Sequence, residues 1–153
     1  MKNLLCGLVA AALLAGCALA RPVTVPAYDQ GKETTKVTIV VARNWNFYGG
    51  GARDWLTFDG ADVAGMYTKE YTEFYATAGP HTIGVHWWGG WTFRWQHDQL
   101  KIDLTDGETR YFLISPNLLG YVEIEEIKKD DAVHRINGYR FTPPGTVSDY
   151  HFF

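Results

Sequence analysis

The segment Thr82-Ile83-Gly84-Val85-His86-Trp87-Trp88 decides the fold. Within it, Ile83, Val85 and Trp87 occupy every second position, and smaller or polar residues fall between them. A period of two is that of a β-strand with one buried face. We therefore predict a strand here, with Ile83, Val85 and Trp87 facing a core.

The same alternation recurs between Lys36 and Ile127. The alternating segments are separated by turns, of which Asp59-Gly60 and Asp106-Gly107 are the clearest because both residue types tolerate a positive φ. No segment keeps a helical period over three turns, and only residues 126–134 leave room for a short helix. About seven or eight short strands joined by tight turns are typical of a sandwich, so we predict an all-β fold, a single antiparallel β-sandwich. The residues expected inside it include Ile39, Phe58, Val85, Ile102 and Ile124.

The first sixteen residues have the pattern of an export signal. Behind Lys2, residues 4–16 are uncharged and almost all apolar, a run too short to span a bilayer in a mature protein. Its end, Leu14-Ala15-Gly16-Cys17, resembles the lipobox of bacterial lipoproteins, whose cysteine sulfur carries a diacylglycerol. We predict a signal peptide over residues 1–16 and lipidation of Cys17. Ordinary signal cleavage after Ala18-Leu19-Ala20 is the alternative.

Lipidation would place the protein in the bacterial cell envelope. Ala18 follows the cysteine, and by resemblance to the sorting rules of enteric-type bacteria this implies the outer membrane, facing the periplasm. Two or three acyl chains anchor a protein stably. We expect residues 17–35 to form a lipid-anchored tether, residues 36–127 the β-sandwich and residues 128–153 an irregular C-terminal tail.

The composition argues against several classes of function. The net charge is −3 and the sequence pI is near 5.9, so no basic surplus favours nucleic acid as a partner. Neither Ser115 nor Ser148 lies in Gly-x-Ser-x-Gly, and no His-Glu-x-x-His is present. We therefore expect no catalytic residues, no metal and no cofactor.

The remaining polar candidates also have structural interpretations. His86 and His97 would lie close together if their strands are neighbours. The plainer interpretation of these two residues is that one is a strand histidine and the other a turn histidine. A catalytic pair of carboxylates, of the kind that hydrolyses glycosides, remains an alternative at the level of the sequence. We interpret the aspartates as turn residues and the glutamates as a solvated strand face. The residues concerned are Asp59, Asp62, Asp98 and Asp106, and Glu123, Glu125 and Glu126.

Several turn motifs resemble the DUF2846 family, largely bacterial lipoproteins of undefined function with relatives of the PEGA type. They are Arg43 at the end of a strand, Leu56–Gly60, Val63–Gly65 and Ala78–Ile83. Ala78 stands where the family's Pro-Gly-x-His turn has its proline, and Pro80 follows the glycine. The resemblance covers about residues 36–127. It implies a small β-sandwich and supplies no catalytic residues.

The unusual feature is a cluster of tryptophans, four of the six in the chain, between positions 87 and 95. Parity predicts Trp87, Trp91 and Trp95 in the core, whereas Trp88 lies outside unless a bulge at Gly89-Gly90 turns it inward. An exposed tryptophan beside a histidine and an arginine would form a stacking platform. The candidate ligand surface is therefore His86, Trp88 and Arg94; the alternative is that these aromatic rings pack between the sheets.

These features predict a lipid-anchored envelope protein whose non-catalytic β-sandwich serves as a binding or assembly module. The alternatives are a glycan-binding module that uses the strip Trp87–Trp95 and an envelope enzyme. The expected partners are the membrane, through Cys17, and an envelope protein or glycan.

Overall fold

A computed structural model describes residues 36–45, 53–89, 94–117 and 121–145, and for residues 88, 89 and 94–96 it describes the backbone alone. Within this part of the chain, nine strands form two facing sheets, so the predicted all-β sandwich is confirmed. The strands are β1 (Val37–Arg43), β2 (Asp54–Phe58), β3 (Ala61–Met66), β4 (Glu70–Ala76), β5 (Gly79–Gly89), β6 (Arg94–Leu104), β7 (Thr109–Pro116), β8 (Val122–Ile127) and β9 (Arg140–Phe141).

The two sheets differ in strand direction. Sheet A has the order β8-β7-β1-β4-β9, and sheet B has the order β3-β2-β5-β6. Two pairs in sheet A, β1 with β7 and β4 with β9, are parallel, and the other pairs are antiparallel. The sandwich is therefore mixed where the alternation predicted antiparallel strands alone. Alternation fixes which face a side chain takes but carries no information on the direction of a neighbouring strand.

A single apolar core fills the space between the sheets. The strands β1 to β8 supply it, mostly through alternate side chains as the period of two requires, whereas both residues of β9 are exposed. The five predicted core residues are all at most 7% exposed, and Trp87 is buried with them. They are Ile39, Phe58, Val85, Ile102 and Ile124.

The outer faces of the two sheets are covered unequally. A helix, α1 (Lys129–Ile136), lies against β7 and β1 on the outside of sheet A. There it buries Val40, Ala42, Leu113 and its own Ala132, which form a small apolar layer outside the main core. No helix in the described part of the chain lies on sheet B. The outer side chains of sheet B are therefore the ones left to contact solvent or a partner.

The C-terminal segment differs from the irregular tail that we predicted. Its described residues hold α1 and β9, and they close one side of the sandwich. The Thr142 N–H donates to the Tyr71 carbonyl at 2.8 Å, and the Gly145 N–H donates to the Val63 carbonyl at 2.7 Å. The sequence could not show this, because α1 has eight residues, too few for three helical turns, and β9 has two, too few for a strand period.

The Asp59-Gly60 hairpin between β2 and β3 is confirmed. Both residues have positive φ, 50° and 80°, and the Asp59 carboxylate accepts the Thr82 N–H at 2.9 Å. The turn predicted over residues 78–81 is shorter than expected. The strand β5 already begins at Gly79, whose φ of 119° makes the bend, so Pro80 and His81 are strand residues.

We expect Ile39→Ala to lower the free energy of unfolding by about 2–5 kcal/mol, because it removes a fully buried side chain from the centre of the core. Glu73→Ala, at an exposed position of β4, is the matched control and should change it by less than about 0.5 kcal/mol. Urea denaturation measures both. If both substitutions changed the free energy of unfolding by the same small amount, the burial of Ile39 in the core would be contradicted.

Candidate functional site

The predicted ligand surface is only partly within the described residues. His86 lies on the outer face of β5. The backbone register places Trp88 opposite Trp95, and Gly89 opposite Arg94, but these side chains lie outside the described residues. Cys17 and Trp91 are outside them as well.

The placement of Trp95 in the core stays a prediction. Its position on β6 has the parity of His97, which is exposed, and not that of the buried Ile102. The side chain itself is not described.

A ladder of three rings crosses sheet B at His86. The register sets Trp55 on β2 opposite His86, and His86 opposite His97 on β6. The ring centroids of Trp55 and His86 are 5.6 Å apart, and those of His86 and His97 are 5.9 Å apart with an angle of 18° between the planes. The two histidines therefore meet, and His97 is a strand residue where we favoured a turn. The reason is that β6 runs without a break from Arg94 to Leu104.

A carboxylate from β3 fixes the central ring of this ladder. The His86 Nε2 lies 2.8 Å from Asp62 Oδ1, and both side chains are half-buried. We predicted Asp62 in a turn, and that prediction is wrong. The hairpin turn uses only residues 59 and 60, and a register shift between Leu56 and Thr57 sets Asp62 in the strand opposite Thr57. An oriented Asp–His pair next to an indole is thus built into the sheet.

Arg53 extends this surface on the other side of Trp55. Its guanidinium carbon lies 4.6 Å from the centroid of the Tyr67 ring, within the range of a cation–π contact. Its aliphatic stem passes over Gly65, where an added Cβ would come within 2.5 Å of the Arg53 Cδ. Gly65 is paired with Trp55 across β2 and β3, and its missing side chain leaves the space through which the Arg53 stem passes.

We call the outer surface formed by Arg53, Trp55, Asp62, His86 and His97 the bare face. It combines ring surfaces, a cation, a carboxylate and imidazole nitrogens, which suit stacking and hydrogen bonding to a ligand. Of these five residues, sequence reasoning placed only His86 on a ligand surface; His97 was considered as a neighbour of His86, and Asp62 as a turn residue. The signal for Trp55 was present, because it alternates with the apolar Leu56 and Phe58, but which strands lie beside β5 was not readable from the sequence.

Two more of the carboxylates considered for catalysis, Asp98 and Glu126, are used by the fold. Asp98 lies in β6, not in a turn as predicted, and its Oδ2 accepts the Ile124 N–H from β8 at 2.8 Å, which joins the edges of the two sheets. Glu126 holds Arg110 through both carboxylate oxygens, at 2.5 and 2.6 Å. In the described part of the chain no group of three or more His, Cys, Asp or Glu side chains is arranged to hold a metal ion.

A buried ion pair lies directly behind the bare face. The Arg43 Nε of sheet A is 2.5 Å from the Asp54 Oδ2 of sheet B, and the two side chains are 3% and 1% exposed. Arg43 also donates from Nη1 to the Met66 carbonyl at 3.1 Å. Burial raises the pKa of the Asp54 carboxyl to about 6, although the charges of Arg43 and His86 act in the opposite direction. The residue that precedes Trp55 is therefore fixed to the opposite sheet.

Comparisons with known proteins add no relative. A scan against family models, a search of curated proteins and a search of solved structures each found no match. The resemblance to DUF2846 stays a prediction. Among the described residues, no helix is long and apolar enough to cross a membrane.

The Asp54 carboxyl gives a prediction for pH dependence. Its pKa is higher in the folded protein, about 6, than the ordinary value of 3.8, so the folded state binds this proton more tightly. The resulting stabilisation is fully present below about pH 4 and is lost as the pH rises through about 6. It amounts to at most about 3 kcal/mol, since one pKa unit corresponds to about 1.4 kcal/mol.

We expect Asp54→Asn to remove this part of the pH dependence of the free energy of unfolding. Asp106→Asn, in an exposed turn, is the control and should keep the wild-type profile. Denaturant unfolding between about pH 4 and pH 7 measures the slopes. Identical slopes for wild type and Asp54→Asn would show that Asp54 does not titrate in this range.

Proposed function

We propose that this protein is a lipid-anchored envelope protein whose non-catalytic β-sandwich binds an envelope partner through the bare face. The observation that carries the proposal is the unequal covering of the two sheets. Helix α1 covers Val40, Ala42 and Leu113 on the outside of sheet A, whereas no described helix covers the ring ladder of Trp55, His86 and His97 on sheet B. His97 is exposed and the other two rings are partly accessible, so the ladder offers an aromatic surface that suits an interaction site.

The contacts of His86 suit a rigid binding surface. Its ring packs between Trp55 and His97, and its Nε2 is engaged by Asp62. A ring held in this way keeps the surface rigid, which lowers the entropic cost of binding.

A glycan is the second candidate for the ligand, and the composition of the bare face favours it. Sugars present C–H faces that pack on aromatic rings and hydroxyl groups that bond to charged side chains. Trp55 supplies the ring, and two charged groups lie toward the neighbouring strand β3: Asp62 belongs to that strand, and the Arg53 stem crosses its Gly65. Peptidoglycan and exported polysaccharides are the glycans that an envelope protein would meet.

The proposed location rests on the sequence. The lipobox ending at Cys17 and the Ala18 that follows it support an outer-membrane anchor facing the periplasm. The tether of residues 17–35 would reach roughly 60 Å if extended, since each residue spans at most about 3.3–3.6 Å. That length would let the domain contact material well away from its anchor.

Replacing the acylated residue tests the anchor. We expect Cys17→Ser to move the protein from the membrane fraction to the soluble fraction and to abolish labelling by palmitate. Cys6→Ser, within the signal, should leave both unchanged. A wild-type protein that is soluble and begins after Ala20 would contradict the proposal.

Replacing ladder residues tests the bare face. We expect Trp55→Ala and His97→Ala each to weaken retention on isolated peptidoglycan sacculi or on a cross-linked envelope partner about tenfold, equivalent to about 1.4 kcal/mol. Trp45→Ala is the control, because Trp45 is 56% exposed and lies outside the bare face. Thermal unfolding confirms that each variant is folded, and His97 is exposed, so its replacement spares the core. Unchanged retention in both ladder variants would refute the proposed surface.

A further inference from the structure

A groove runs along the outside of sheet A, on the opposite side of the sandwich from the bare face. It lies between α1 and β4, has a volume of about 810 Å³ and is open to solvent. Its lining is mixed: Tyr71, Val133, Ile136 and Tyr139 supply apolar surface, and Lys129, Asp130, His134 and Asn137 supply polar groups. Nothing in the proposed function uses it.

The surface around this groove is rich in exposed apolar side chains. The Phe141 ring of β9 packs on Tyr71 with the centroids 5.3 Å apart, and it remains exposed on its other side. Val133 on α1 is 56% exposed, and Tyr75 lies four residues along β4 from Tyr71, on the same face of the sheet. Val133 lines the groove, and Phe141 packs on Tyr71, which also lines it; both belong to the five large apolar side chains that are exposed in the described residues.

The N-terminal part of the chain enters the domain on this face. The Lys36 Nζ lies 5.8 Å from the centroid of the Tyr75 ring, just before β1 begins at Val37. Tyr75 is about 13 Å along the strand from Tyr71, at about 3.3 Å per residue. The residues before Lys36 therefore start on the same face of sheet A as the groove, next to Tyr75 rather than in the groove itself.

The sequence of those residues suits an aromatic groove. Residues 22–28, Pro-Val-Thr-Val-Pro-Ala-Tyr, carry no charge and contain two prolines. Proline favours an extended, polyproline-like backbone, and grooves lined by aromatic side chains bind such segments. The seven residues 29–35 can span up to about 25 Å, at about 3.3–3.6 Å each, which exceeds the distance of about 13 Å along β4 from Tyr75 to Tyr71.

We propose that the groove beside α1 binds residues 22–28 of the same chain. Docking would shorten the free tether to the residues before Pro22, and it would leave the bare face directed away from the attached end of the chain. The consequence for orientation depends on the proposed anchor at Cys17, but the docking itself does not.

Disulfide trapping in the mature full chain, with Cys17→Ser, tests the proposal without any ligand. Val25→Cys is combined with Val133→Cys in the groove, or with Lys101→Cys, which is exposed on β6 of sheet B. Both groove and control positions are exposed, so the core is unchanged. We expect the intramolecular disulfide to form at least ten times faster with position 133 than with position 101.

A companion variant tests the role of the prolines. Adding Pro22→Gly and Pro26→Gly to the Val25→Cys, Val133→Cys chain should remove most of the rate advantage, because the segment loses its extended preference. Equal rates for positions 133 and 101 would overturn the proposal, and so would disulfides that are mainly intermolecular, which would assign the groove to a second copy. Neither result would bear on the proposal that the bare face binds a partner, because no ligand is present in the experiment.

Discussion

The rest of this structure depends on one constraint: every second side chain of β2 and β5 is buried in the core. Leu56, Ile83 and Val85 are almost completely buried, and their burial forces Trp55 and His86 to the opposite face of sheet B. A slip of one residue in either strand would exchange the two sets. The free energy of burying the core therefore also sets the geometry of the proposed binding surface.

The ion pair of Arg43 and Asp54 adds a second constraint at the same place. It joins the end of β1 to the start of β2, so the residue before Trp55 is held to the opposite sheet. Two charges removed from water stabilise a fold little, because desolvation offsets most of their attraction. Their value here is positional: an unpaired Asp54 or Arg43 inside the sandwich would be costly, which disfavours any register that separates them.

The sequence allowed local features to be predicted and left non-local ones open. The strand faces and the Asp59-Gly60 turn follow from residues near one another in the chain, and both are confirmed. The parallel pairing of β1 with β7 and the edge strand β9 depend on contacts between distant segments, which no periodicity encodes. The same limit applies to the site. His86 was visible on its own strand, but Trp55 and Asp62 reach it from two other strands, and Asp62 had an equally good interpretation as a turn residue.

Oxidative footprinting of the mature protein, with and without isolated cell envelopes, tests most directly whether the bare face is the binding surface. The modification rates of Trp55 and His97 report on the bare face, and that of Trp45 reports on exposed surface elsewhere. We expect envelopes to protect Trp55 and His97 several-fold and to leave Trp45 unchanged. Protection of Trp45 with no change at Trp55 and His97 would contradict the proposed site and place the contact elsewhere on the sandwich.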